Sequence, residues 1–95
     1  MAELKVGMLG YKPSHADVLY LGAHPNVSVC WTVMPGDVTF GRTMMKDETP
    51  HAAFINPDLP EGSFQEVLEG YHSVRVVRDH NLVDVLAALL EAATA

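Results

Sequence analysis

The sequence predicts an α/β fold: a small three-layer sandwich, with a mostly parallel sheet of about five strands and three helices. Three observations predict it. Residues 4–33 read as strand, helix, strand, and a connection of that kind is a crossover that leaves its two strands parallel. The alternation of strand and helix returns from His51 to the end of the sequence. The composition, 48% hydrophobic and 19% charged over 95 residues and 10.3 kDa, suits one packed α/β domain, 1–95, and excludes intrinsic disorder.

Leu4, Val6 and Met8 alternate with Lys5 and Gly7 in a first strand, Leu4–Gly10. Ser14 stands three residues before Asp17, a capping-box spacing in which each side chain serves a free amide, so a helix is expected over Ser14–Gly22. It must stop by His24, because Pro25 disfavours the α conformation in its predecessor. Val27, Val29, Trp31 and Val33 alternate with Ser28, Cys30 and Thr32, the cleanest period of two in the chain, and mark a second strand with its valines on one face. Met34-Pro35-Gly36-Asp37 then turns the chain, and Val38–Met44 reads as a returning strand, antiparallel at one edge of the sheet.

Residues 45–50 are loop, His51–Asn56 is a short apolar strand, and Pro57–Gly62 is a proline-broken loop. Ser63-x-x-Glu66 reads as a capping box opening a two-turn helix that ends at Gly70. Val74–Arg78 is a strand, and Asn81-x-x-Asp84 caps the last helix, Asn81–Ala95. The expected spatial order sets the first strand beside the one starting at His51. A reversal of strand order between them would be the switch point at which open α/β sheets bind ligands.

Charge narrows the partners. Six basic residues against twelve acidic give a net charge of −6. Glu3, Asp17 and Asp37 balance Lys5, Lys12 and Arg42 within residues 1–45, so the whole excess of acid lies in 46–95. No basic stripe is present, and neither nucleic acid nor an anionic membrane surface is an expected partner. The polar opening Met-Ala-Glu-Leu-Lys and the lack of an apolar run of roughly 18 residues argue against a signal peptide or a membrane span. A single cysteine, Cys30, leaves no internal disulfide framework and fits a reducing, cytoplasmic compartment.

One stretch resembles a known family. Lys5-Val6-Gly7-Met8-Leu9-Gly10, then His15-Ala16, then Leu21-Gly22-Ala23-His24-Pro25-Asn26-Val27-Ser28-Val29, looks like the first βαβ unit of Rossmann-type oxidoreductases of the glucose-fructose oxidoreductase class. The resemblance covers roughly the first third of the chain and implies architecture. Of the G-x-G-x-x-G fingerprint that such domains carry after the first strand, only Gly10 matches, with Lys12 and Pro13 in the loop. Val33-Met34 stand where an acidic residue would hold a ribose, so the resemblance does not carry dinucleotide binding with it.

Under this topology the loops at the carboxyl ends of the strands converge. They bring Tyr11, Lys12, Ser14 and His15 from the first strand, Asn56 and Asp58 from the one starting at His51, and Asp79 and His80 from the last. Lys12 offers a cation and the helix start at Ser14 offers free amides, which together would favour a small anion such as phosphate. His80, beside Asp79 and four residues before Asp84, has the best claim to a carboxylate partner.

Catalytic spacing is missing. Five histidines occur without C-x-x-C, H-E-x-x-H or another ligand spacing, so no metal and no cofactor is expected. Ser14, His15 and Asp17 point apart at a helix start and form no relay, and Cys30, mid-strand, is expected to be a buried, inert thiol. No catalytic residue is assigned, and an enzyme is disfavoured.

The last helix is the most unusual segment. Eleven of its fifteen residues are hydrophobic and only Asp84 and Glu91 carry charge, so Val85, Leu86, Leu89 and Leu90 are candidate interface residues. The expected function is a non-catalytic assembly or binding subunit that acts as a homo-oligomer or docks on a larger protein. The alternative is a small-molecule protein holding a phosphorylated or nucleotide-like ligand at the switch point through Lys12, Ser14, Asn56, Asp58 and His80, as a sequestering protein or a minimal enzyme.

Overall fold

The computed structural model describes residues 3–94. Strand β1 (Leu4–Leu9) exposes only Lys5, and a strand buried on both faces belongs inside a parallel sheet. Helix α1 (Ala16–Ala23) crosses to β2 (Val27–Val33), which pairs parallel to β1 with Leu4 opposite Val27 and Leu9 opposite Val33. Helix α2 (Val38–Asp47) carries the chain back to β3 (Ala52–Ile55) on the other side of β1. The one-turn helix α3 (Gln65–Leu68) leads to β4 (Arg75–Val77), and α4 (Leu82–Thr94) follows. The strand order is β2-β1-β3-β4, all parallel.

Helices cover both faces. Val18 and Leu21 of α1 and Leu82, Leu86 and Leu89 of α4 pack with Leu4, Val6, Met8, Ala52, Phe54 and Val77. Met45 of α2 and Val67 of α3 pack on the opposite face with Leu9, Val33, Ala53 and Ile55. Among the described residues no helix is long and apolar enough to cross a membrane. The last residue of the expected final helix, Ala95, lies outside the described residues.

The sheet has four strands rather than five, and the described residues form four helices rather than three. The expected antiparallel edge strand Val38–Met44 lies instead in α2. The Asp37 side chain accepts the Phe40 N–H at 3.4 Å and caps this helix. Its buried residues are Gly41 and Met45, a helical spacing, and Gly41 faces Val67 and Val33 so closely that a Cβ there would stand 3.1 Å from Val67 Cγ2. Val38, Thr39, Phe40 and Thr43 favour strands by propensity, but packing against β2 and α3 decides the matter. The connection from β2 to β3 is therefore a crossover, not a hairpin.

Strand β2 departs from simple alternation. Val6 faces Val29 but Gly7 faces Trp31, so Cys30 is the extra residue of a bulge. Val27 and Val29 consequently join the α1–α4 side while Trp31 and Val33 join the α2–α3 side. The single valine face is split between two cores.

Two helix starts also differ from expectation. α1 begins at Ala16, with His15 as its N-cap: His15 Nδ1 accepts the Asp17 N–H at 3.0 Å, and Ser14 caps nothing. At α3, Ser63 donates its hydroxyl to Pro60 O at 2.6 Å, and Phe64 precedes the helix in a left-handed conformation with φ 63°. Phe64 holds that conformation while 4% exposed in the α2–α3 core.

Candidate functional site

The switch point lies between β1 and β3, and the chain itself closes it. Asn56 Nδ2 donates to Gly10 O at 3.2 Å, and Asn56 Oδ1 accepts the Asp58 N–H at 3.0 Å. Gly10 has φ 82°, and a Cβ built on it would lie 2.3 Å from Leu59 Cδ1 and 3.2 Å from Phe64 Cε2. The close approach that glycine permits at this turn is taken by Leu59, where a phosphate-binding loop would keep it for the ligand. One of the amides at the start of α1 is already taken by His15. Lys12 and Ser14 are exposed on the rim.

Asp58 and His80 do approach, His80 Nε2 lying 3.6 Å from Asp58 Oδ1, with both side chains about three-quarters exposed. The carboxylate beside His80 thus comes from the loop after β3 and not from Asp84, which accepts from Asn81 Nδ2 at 2.8 Å. Asp79 accepts the Asn81 N–H at 2.9 Å and turns the chain into α4. These loops bring Asn56, Asp58 and His80 together, while Asp79 serves the start of the last helix.

Three histidines act as backbone acceptors through Nδ1: His15 for Asp17, His24 for Asn26 at 3.2 Å, and His51 for Lys5 at 3.0 Å. Tyr11 is 1% exposed, its ring meets His15 edge-on at 4.8 Å, and its hydroxyl has no hydrogen-bond partner among the described residues. Burial pushes its pKa up to about 12, with the charges of Asp17 and Asp58 adding to the effect. The Asp17 carboxylate repels a phenolate and favours the protonated hydroxyl, although no acceptor among the described residues stands in full hydrogen-bonding geometry to it. Cys30 is half-buried, and burial, followed by Glu48, pushes its thiol up to about 11. A thiol held protonated at neutral pH is a poor nucleophile.

The candidate interface residues divide. Leu86 and Leu89 are core, 2% and 6% exposed, packed on β1, β3 and β4. Val85 and Leu90 are partly buried at the margin of that core. Beside Val85 runs a groove between α4 and β4, lined on the β4 side by residues 75–79, with Arg75, Arg78 and Asp79 its charged groups, and on the α4 side by Ala88 and Leu89. β4 is the last strand of the order, with β3 on one side only, and its Val76 is 48% exposed. The opposite edge, β2, is broken by the bulge at Cys30, a feature that discourages further pairing.

Sequence reasoning missed this edge because it placed the sheet's edge strand at Val38–Met44. A signal was present. Residues 46–95 hold only three basic side chains, Lys46, Arg75 and Arg78, and of these Arg75 opens β4 and Arg78 follows it. The structure defines a class: a parallel α/β sandwich with its switch point closed by its own loop and one regular sheet edge open. Comparison of the chain with protein-family models, with curated proteins and with solved structures returns no match.

Proposed function

We propose that this chain is a non-catalytic assembly or binding subunit, and that its docking surface is the β4 edge with the adjoining α4 groove. One observation carries the reading: a strand edge bearing the 48%-exposed Val76 adjoins a groove floored by Val85, Ala88 and Leu89. An unpaired strand edge presents a row of N–H and C=O groups that another strand satisfies. The apolar α4 supplies area for the partner to cover beside those hydrogen bonds.

The test is the mass of the native protein, by sedimentation or light scattering, pure at tens of micromolar and in extract of its own cells. The wild type runs heavier than 10.3 kDa in at least one of the two. Val76→Pro, which removes an edge N–H at a position where an edge strand tolerates proline, returns it to the monomer mass with an unchanged circular dichroism spectrum. A wild type of monomer mass in both settings defeats the reading.

A further inference from the structure

The backbone and charges of β4 select a particular partner. Arg75 donates its N–H to His51 O at 3.0 Å, and Arg75, Val76 and Val77 stand opposite Ala52, Ala53 and Phe54 of β3. Arg75 and Val77 therefore turn their backbone groups toward β3, and the alternation of a ladder points those of Val76 and Arg78 off the sheet. An antiparallel copy of the same strand, related by a two-fold axis, can bond only where outward-pointing residues face each other. That condition puts the axis at a residue, never between two.

Side-chain charge then chooses among the three residues of β4 and Arg78, which follows it. An axis at Arg75 or at Arg78 sets an arginine against its own copy. An axis at Val76 sets Arg75 against Val77 and Val74 against Arg78, with no charge matched. An axis at Val77 sets Arg75 against Asp79 on both sides of the joint, and Val76 against Arg78, whose guanidinium donates to the Pro57 and Leu59 carbonyls of its own chain and so does not compete for Asp79. Arg75 and Val77 share one face of β4 by alternation, and Asp79, two residues past the end of the strand, lines the α4 groove together with Arg75. The two α4 helices would then flank the joint through Val85 and Ala88, where a small side chain allows close approach.

We propose that the partner is a second copy of this chain, paired antiparallel through β4 about a two-fold axis at Val77, with each Arg75 facing Asp79 of the other copy. The two four-stranded sheets become one of eight, and the open edge is closed. This inference rests on the β4 edge being the association surface.

The experiment is a charge-swap series read by sedimentation equilibrium at low ionic strength, with thermal melts as the control for folding. The wild type dimerises. Arg75→Asp and Asp79→Arg each place like charges opposite one another twice, and each weakens the dimer roughly tenfold. An equimolar mixture of the two variants regains the wild-type affinity as a heterodimer, because the two edges are then complementary at both pairs. Weakening that the mixture fails to repair overturns the proposal.

A wild-type dimer indifferent to both swaps but abolished by Val76→Pro overturns this register and keeps the edge as docking surface. A wild type that is monomeric when pure, yet heavier in extract, overturns the second copy and keeps the docking reading. Should Asp79→Arg unfold through loss of its bond to the Asn81 N–H, Val77→Cys decides instead. Only the proposed axis brings the two copies of residue 77 to the roughly 4.5 Å of a facing, non-hydrogen-bonded pair, where mild oxidation links them. A dimer that does not cross-link there overturns the proposal.

Discussion

Gly7 has no side chain because Trp31 occupies the space. A Cβ on Gly7 would lie 2.4 Å from Trp31 Cη2, and the ring is fixed by its own bond, Nε1 donating to Glu48 O at 2.9 Å. Gly7→Ala must displace the indole, and overpacking of this kind costs about 1–3 kcal/mol. The denaturant midpoint falls, and the emission of the single tryptophan shifts as the ring loses its seat. An unchanged spectrum and midpoint would show that the ring yields freely. Tyr11 presents the opposite case, a buried hydroxyl without a partner. Tyr11→Phe removes a desolvated group that has no well-formed hydrogen bond, so it raises stability by about 1 kcal/mol at neutral pH. A loss of stability of that size would reveal a bond to the hydroxyl.

At the scale of elements, what the sequence shows depends on whether the cause is local. The strands β1 and β3 and the long helix α4 are legible because alternation, apolar runs and the Asn81–Asp84 cap agree; Asn81 Oδ1 accepts the Asp84 N–H at 3.3 Å. The segment after Asp37 is not, since its β-branched and aromatic residues speak for a strand while Val67, against which Gly41 packs most closely, is distant in sequence. The bulge in β2 is illegible for the same reason: it answers to Gly7, on another strand. Of the site, the sequence yields the charge-poor helix but not the edge beside it, because an edge is a property of strand order. α2 carries its own test. Asp37→Ala removes the cap on Phe40 N–H and lowers stability by about 0.5–1 kcal/mol, the small end of the range suiting a bond of 3.4 Å. Denaturant melts measure it, and Asp37→Asn, which keeps an acceptor, stays near wild type.

For the whole molecule, the two raised acids tie stability to alkaline pH. Cys30 rises from 9.0 to about 11, through burial and then Glu48; Tyr11 rises from 10.0 to about 12, through burial and then Asp17. In each case the folded state keeps a proton that the unfolded chain releases, so the unfolded state binds fewer protons and stability falls as pH rises. Well below pH 9 both groups are protonated in both states and contribute no slope. From pH 9 the thiol acts, from pH 10 the phenol joins it, and the fall levels off once each folded group ionises, near pH 11 and pH 12 respectively. Urea midpoints across this range therefore descend for the wild type. Cys30→Ser removes the descent that begins at pH 9, and Tyr11→Phe removes the later one. Because the two side chains sit on opposite faces of the sheet, Cys30 at the α2–α3 core and Tyr11 in the α1–α4 core, their effects add in the double variant. Curves for wild type and double variant that run parallel from pH 9 to pH 12 would place the alkaline sensitivity elsewhere in the chain.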